Sequence, residues 1–234
     1  ELGIDRIDLV TGPSLGGMQA LEWAASYPER VGSVVPIGVG GRHSAWCIGI
    51  SEAQRAAIAA DPNWQGGYYT DDAPPAQGLA AARMMAVCTY RSWDSFEARF
   101  GREKHSADLY QAQSYLQHQG RKINERFDAN TYVTLTHAMH THDLARGRGS
   151  YPEVLKQIVQ PTLVVSVSSD TLYPPAEQIE LAEHLPNAQY EVLESQHGHD
   201  GFLIETEDLG ALIARFRAER YANRNLKAIS AGSE

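Results

Sequence analysis

The segment Gly12-Pro13-Ser14-Leu15-Gly16 has the spacing G-x-S-x-G. On a sharp strand-to-helix turn that spacing pushes a serine hydroxyl clear of the sheet, and the glycines relieve the crowded backbone. A serine is a weak nucleophile until a base takes its proton, and the base needs an orienting carboxylate. Both partners occur later, in the order serine, acid, base: Asp170 after one strand-like run, His197 and His199 after another. The backbone N–H of Leu15, opening a helix, would point at an oxyanion formed when Ser14 attacks a carbonyl. Taken singly these are a glycine-rich turn, a solvated carboxylate and two loop histidines. Together, each in its slot, they specify acyl chemistry at a serine.

Such residues need a framework. Ile7–Val10 reads as a buried strand, Met18–Tyr27 has helical spacing, and Val31–Val39 is a second apolar strand, a βαβ unit that implies a parallel sheet. From Gly40 to about Ser150 helical segments dominate: 45–60, 78–90, 92–100, 107–127 and 129–145. The α/β rhythm then returns with a strand at 161–167, a helix at 174–185, a strand at 189–193 and a helix at 209–221, and the polar tail after Ala222 is expected to fray. The expected organisation is an α/β core of residues 1–40 and 151–234, interrupted by a helical lid at 41–150.

Composition narrows the class. With 234 residues, 43% of them hydrophobic and 21% charged, the chain is neither disordered, collagenous nor a coiled coil. A net charge of −9 argues against nucleic acid as a partner. No uncharged run approaches the roughly 18 residues of a membrane helix, and no signal peptide is evident, so a soluble, cytoplasmic chain is expected. Cys47 and Cys88 fit reduced packing residues, and the four tryptophans fit core or lid packing. His137, His140 and His142 lack the companions of a zinc site, so no metal is expected. Gly38-Val39-Gly40 follows a strand, yet His43 stands where a dinucleotide fingerprint needs its third glycine.

Longer motifs carry a resemblance. They are Gly12 to Trp23 (GPSLGGMQALEW), Arg55 to Tyr69 (RAAIAADPNWQGGYY), Thr89 to Arg102 (TYRSWDSFEARFGR), Ser114 to Asn130 (SYLQHQGRKINERFDAN), Thr141 to Leu144 (THDL) and His199 to Glu205 (HDGFLIE). Through them the chain resembles, over nearly its whole length, the homoserine O-acetyltransferase family of α/β-hydrolase-fold acyltransferases, including serine and succinyl variants. Pro13 stands where the family commonly has glycine, which removes one backbone donor. The resemblance implies Ser14 as nucleophile, Asp170 as acid and His199, through its His-Asp-Gly context, as base. It further implies Arg83 and Tyr90 at the carboxylate of an amino acid and Asp200 at its ammonium.

The implied reaction moves an acetyl or succinyl group from acyl-CoA, a co-substrate rather than a bound cofactor, to the hydroxyl of homoserine or serine through an acyl-serine. Which residues hold coenzyme A is open; a basic group of Arg42, Arg91, Arg99, Arg102 and Lys104 is one candidate. The alternatives are a carboxylesterase on the same triad, or an incomplete subunit needing a partner. In the family's fold several strands precede the nucleophile, so the chain is expected to hold the C-terminal part of the sheet. N-terminal strands and the second oxyanion donor would then come from a separate segment or chain. A homodimer through the lid is the family expectation.

Overall fold

The computed structural model describes residues 3–231, with side chains described as far as Ala222. Four parallel strands form the main sheet in the order β1 (Val10–Pro13), β2 (Val34–Ile37), β5 (Thr162–Val167), β6 (Ala188–Leu193). Residues alternate across it, as strand geometry requires. On one face Val34 and Val164 pack with Leu21 of α1 (Leu15–Ser26), Leu155 of α7 (Tyr151–Gln157) and Leu181 of α8 (Pro175–His184). On the other, Val35, Leu163, Val165 and Val167 meet Phe216 of α10 (Thr206–Ala231).

Between β2 and β5 lies the helical lid: α2 (Ala45–Ala59), α3 (Ala76–Tyr90), α4 (Trp93–Phe100), the hairpin β3 (Lys104–Ser106) and β4 (Leu109–Tyr110), α5 (Gln111–Ile123) and α6 (Ala129–His140). It has its own apolar centre, with Ile58, Leu79, Ala82, Ile123 and Tyr132. Gly78 lets α3 approach α2 closely, since a Cβ there would lie 2.8 Å from Ala57 O. After β6 the short helix α9 (Gly201–Ile204) leads into α10.

Several elements differ from expectation. The first strand runs three residues later than the apolar pattern suggests, because Pro13 pairs in register with Ile37 and carries the ladder to the edge of Ser14. Ile7 keeps one isolated bridge, to Val31. The helix expected from 107 starts at Gln111, where the Tyr110 N–H donates to Gln113 Oε1 at 2.9 Å and caps it. The helix expected to 145 stops at His140, because the chain beyond it pairs with the segment after β2: His43 N–H to His142 O at 2.8 Å, Leu144 N–H to Gly41 O at 3.1 Å. The tail expected to fray is helical to Ala231, and its last three residues lie outside the described ones. Cys47 is buried, but Cys88 is exposed, and so are Trp23, Trp46 and Trp93.

Candidate active site

Ser14 occupies the turn between β1 and α1 with φ 52° and ψ −124°, a left-handed conformation that an L residue adopts only under constraint. The constraint is visible. Ser14 N–H bonds Ile37 O at 2.9 Å, and its carbonyl accepts from Gly17 and Met18. Gly12 and Gly16 nearly touch, for a Cβ on Gly12 would sit 2.5 Å from Gly16 C. Leu15 opens α1, and the first amides of a helix have no partner inside it. Its N–H is therefore available to a developing oxyanion.

Asp170 follows β5 and is buried. Its Oδ1 accepts from the Leu172 and Tyr173 N–H groups, each at 2.9 Å, which leaves Oδ2 facing His199 Nδ1 at 2.6 Å. That hydrogen bond fixes the imidazole and directs Nε2 away from the carboxylate. The ring is packed on three sides, by Tyr173 at 5.2 Å, Phe202 at 5.1 Å and Tyr90 at 6.0 Å between centroids. Gly38, at the end of β2 with φ 56°, fits beneath the pair: a Cβ there would lie 3.5 Å from both Asp170 Oδ2 and His199 Cε1. It adjoins Ile37, the residue that holds Ser14, so serine and histidine converge on one strand end. The other histidine, His197, is engaged elsewhere, its Nδ1 lying 3.3 Å from Ser95 Oγ of the lid.

Ser14 and Leu15 form part of the wall of a cavity of about 540 Å³ whose remaining walls come from the lid: Gln54, Arg83, Tyr90, Tyr132 and apolar neighbours. Arg83 lies over the Tyr90 ring at 5.5 Å. Burial pushes the Tyr90 hydroxyl above its ordinary range, so it stays a neutral donor. Asp200 forms an ion pair with Arg91 at 3.1 Å. Burial raises its carboxyl, and Arg91 is the leading group that opposes the rise. Arg91 and Ser92 clasp the histidine loop: Ser92 Oγ donates to Gln196 O, and a Cβ on Gly198 would lie 2.7 Å from the Arg91 backbone.

The proposed basic group is divided. Arg42 pairs with Glu180, Arg91 with Asp200, and Arg99 stacks on Tyr115. Among the described residues no group of three or more His, Cys, Asp or Glu side chains is arranged to hold a metal. His140 lies against Arg55, and His142 Nε2 against Gly40 O at 3.0 Å. No helix among the described residues is long and apolar enough to cross a membrane. Sequence reading overlooked Tyr173 and the hydrogen-bonded pair Tyr132 and Gln54, at 2.7 Å, and considered Gly38 and Arg91 only for nucleotide and coenzyme A binding. Gly38 alone had a visible signal, a glycine directly after an apolar strand.

A parallel sheet with helices on both faces and a strained serine at a strand-to-helix elbow defines the α/β-hydrolase class. The family description "alpha/beta hydrolase fold" matches residues 1–206. A homoserine O-acetyltransferase of Nostoc punctiforme is 62% identical over 217 residues, covering 91% of this chain and 61% of that protein. Among solved structures, esterase E22 superposes with a TM-score of 0.85 at 24% identity, over 92% of this chain and 62% of that one, a likeness of fold alone. The homoserine O-acetyltransferase of Bacillus anthracis gives a TM-score of 0.82 at 25% identity, over 88% of this chain and 58% of that one. The chain belongs to the homoserine O-acetyltransferase family of this fold. It spans about three-fifths of the length of the curated relatives it matches.

Proposed function

We propose that this chain carries the nucleophile, base and acceptor pocket of an acyltransferase that moves an acetyl group from acyl-CoA to the side-chain hydroxyl of homoserine. The observation that carries this reading is the 2.6 Å Asp170–His199 hydrogen bond against Gly38, next to the Ile37 that holds the strained Ser14, with Arg83 and Tyr90 of the lid on the cavity at Ser14. His199 Nε2 takes the Ser14 proton as Oγ attacks the thioester carbonyl carbon, and the Leu15 N–H holds the oxyanion. The C–S bond breaks, the thiol leaves with the proton from His199, and the acyl group rests on Ser14. The acceptor hydroxyl then gives its proton to His199 and attacks the acyl-serine, which releases the ester and restores the serine.

Arg83 and Tyr90 bind the acceptor carboxylate and Asp200, steadied by Arg91, its ammonium, so the hydroxyl is held in line. The core at 1–40 and 151–234 supplies the triad, and the lid at 41–150 keeps water from the acyl-serine. A cytoplasmic setting and a homodimer through the lid belong to the same reading; the exposed Met85 and Trp93 of α3 and α4 support such an interface. The test is free-thiol release from acetyl- and succinyl-CoA with homoserine and with serine. Release from acetyl-CoA that requires homoserine is expected. Release that ignores the amino acid would make the protein a hydrolase.

A further inference from the structure

Twelve residues line the cavity at Ser14, and none is acidic, although the chain has a net charge of −9. Two of the twelve are arginines. Arg83 stacks on Tyr90 and is assigned above to the acceptor. Arg126 has no such role. Among the described residues its guanidinium makes no ion pair, hydrogen bond or ring contact, and it is exposed while still forming part of the cavity wall. Local structure holds it there. The turn after α5 is closed by the Arg126 N–H to Ile123 O at 3.2 Å and the Phe127 N–H to Ile123 O at 2.9 Å. Ile123 and Phe127 are both anchored in the lid's apolar centre. The backbone is thus fixed where an unpaired, exposed arginine forms part of the wall of the cavity that holds the nucleophile.

A thioester carried by a phosphorylated nucleotide must reach Ser14 with its acyl end and leave its phosphates outside. The wall near Arg126 suits that path: Phe127, Leu135 and Met139 offer apolar surface to a pantetheine arm, and the guanidinium fork fits phosphate at the mouth. An acidic molecule repels such a polyanion at long range, so a local cation at the mouth is where binding is won. We propose that Arg126 recognises a phosphate of the acyl donor, an assignment that rests on the acyltransferase reading above.

The test compares acetyl-CoA with S-acetylpantetheine, which keeps the thioester and arm but lacks the phosphates, in the complete natural chain with homoserine saturating. In the parent, kcat/KM favours acetyl-CoA. Arg126→Gln is expected to shrink that preference about tenfold, through KM rather than kcat, and Arg126→Lys to restore part of it. A donor preference that survives Arg126→Gln overturns the assignment. So does a penalty confined to succinylpantetheine, which would place the distal carboxylate of an acyl group on Arg126 instead. A parent that hydrolyses p-nitrophenyl acetate but releases no homoserine-dependent thiol overturns the acyltransferase reading itself.

Discussion

Both oxygens of Asp170 are engaged, one by two backbone amides and the other by His199, so the carboxylate cannot turn away from the imidazole. Asp170→Asn keeps the size of the side chain but replaces an acceptor with a donor. The His199 tautomer would invert, and kcat should fall about 10³- to 10⁴-fold with the thermal midpoint little changed, measured as thiol release. Arg91 acts one step further out. Its ion pair opposes the burial that raises the Asp200 carboxyl. In Arg91→Gln that carboxyl rises further and is protonated at higher pH, and on the proposed function it then no longer holds the acceptor's ammonium. The acceptor KM of the variant should therefore begin to climb at a higher pH than the parent's as the solution is made more acidic. Parallel pH profiles in the two proteins would refute the coupling. Ser14 and Asp170 stand out in the sequence because each closely follows an apolar run, whereas His199 is separated from its rival His197 only by the family resemblance. Arg91 does not stand out, since nothing in a sequence shows which surface arginine meets which carboxylate.

At the scale of elements, the junction that matters is between the end of α3, the start of α4 and the histidine loop. Gly198, with φ 69° and its α-carbon pressed on the Arg91 backbone, allows them to touch. Gly198→Ala is expected to destabilise the fold by about 1–3 kcal/mol and to lower activity beyond that loss, because the residue next to the base must move. Chemical denaturation and thiol-release kinetics on the same sample check both effects. The elements themselves were readable where local pattern governs: β5, with its run rich in β-branched residues, and α2 and α3, with their spacing. The reading slipped where long-range pairing decides. β1 extends through Gly12-Pro13, a pair that looks like a turn, because β2 offers it a ladder. α6 stops at His140 because its continuation bonds to residues about 100 positions earlier.

Across the whole molecule, a buried histidine helps tie the start of α2 to the loop after β5. His43, just before α2, has its Nδ1 3.3 Å from the hydroxyl of Tyr173, the residue whose ring packs on His199. Burial, with His140, His142 and Arg55 alongside, lowers it from 6.5 to about 4. The unfolded chain takes up this proton near pH 6.5, whereas the folded chain resists to about 4. The stability it supplies is thus complete above 6.5 and is lost as pH falls to 4, about 3 kcal/mol in all. His43→Gln should flatten that part of the pH–stability curve in thermal melts, and an unaltered curve would assign the dependence elsewhere. The sequence by itself determined the fold class and the family and singled out Ser14, Asp170 and two candidate histidines, because short-range periodicity and motif spacing record which face is buried and where turns fall. Tertiary structure alone decided that His197 serves the lid while His199 serves Asp170, that Asp200 is paired, and that one cavity has two arginines and no acid on its walls. Those facts depend on distances between segments far apart in the chain, which no local pattern encodes.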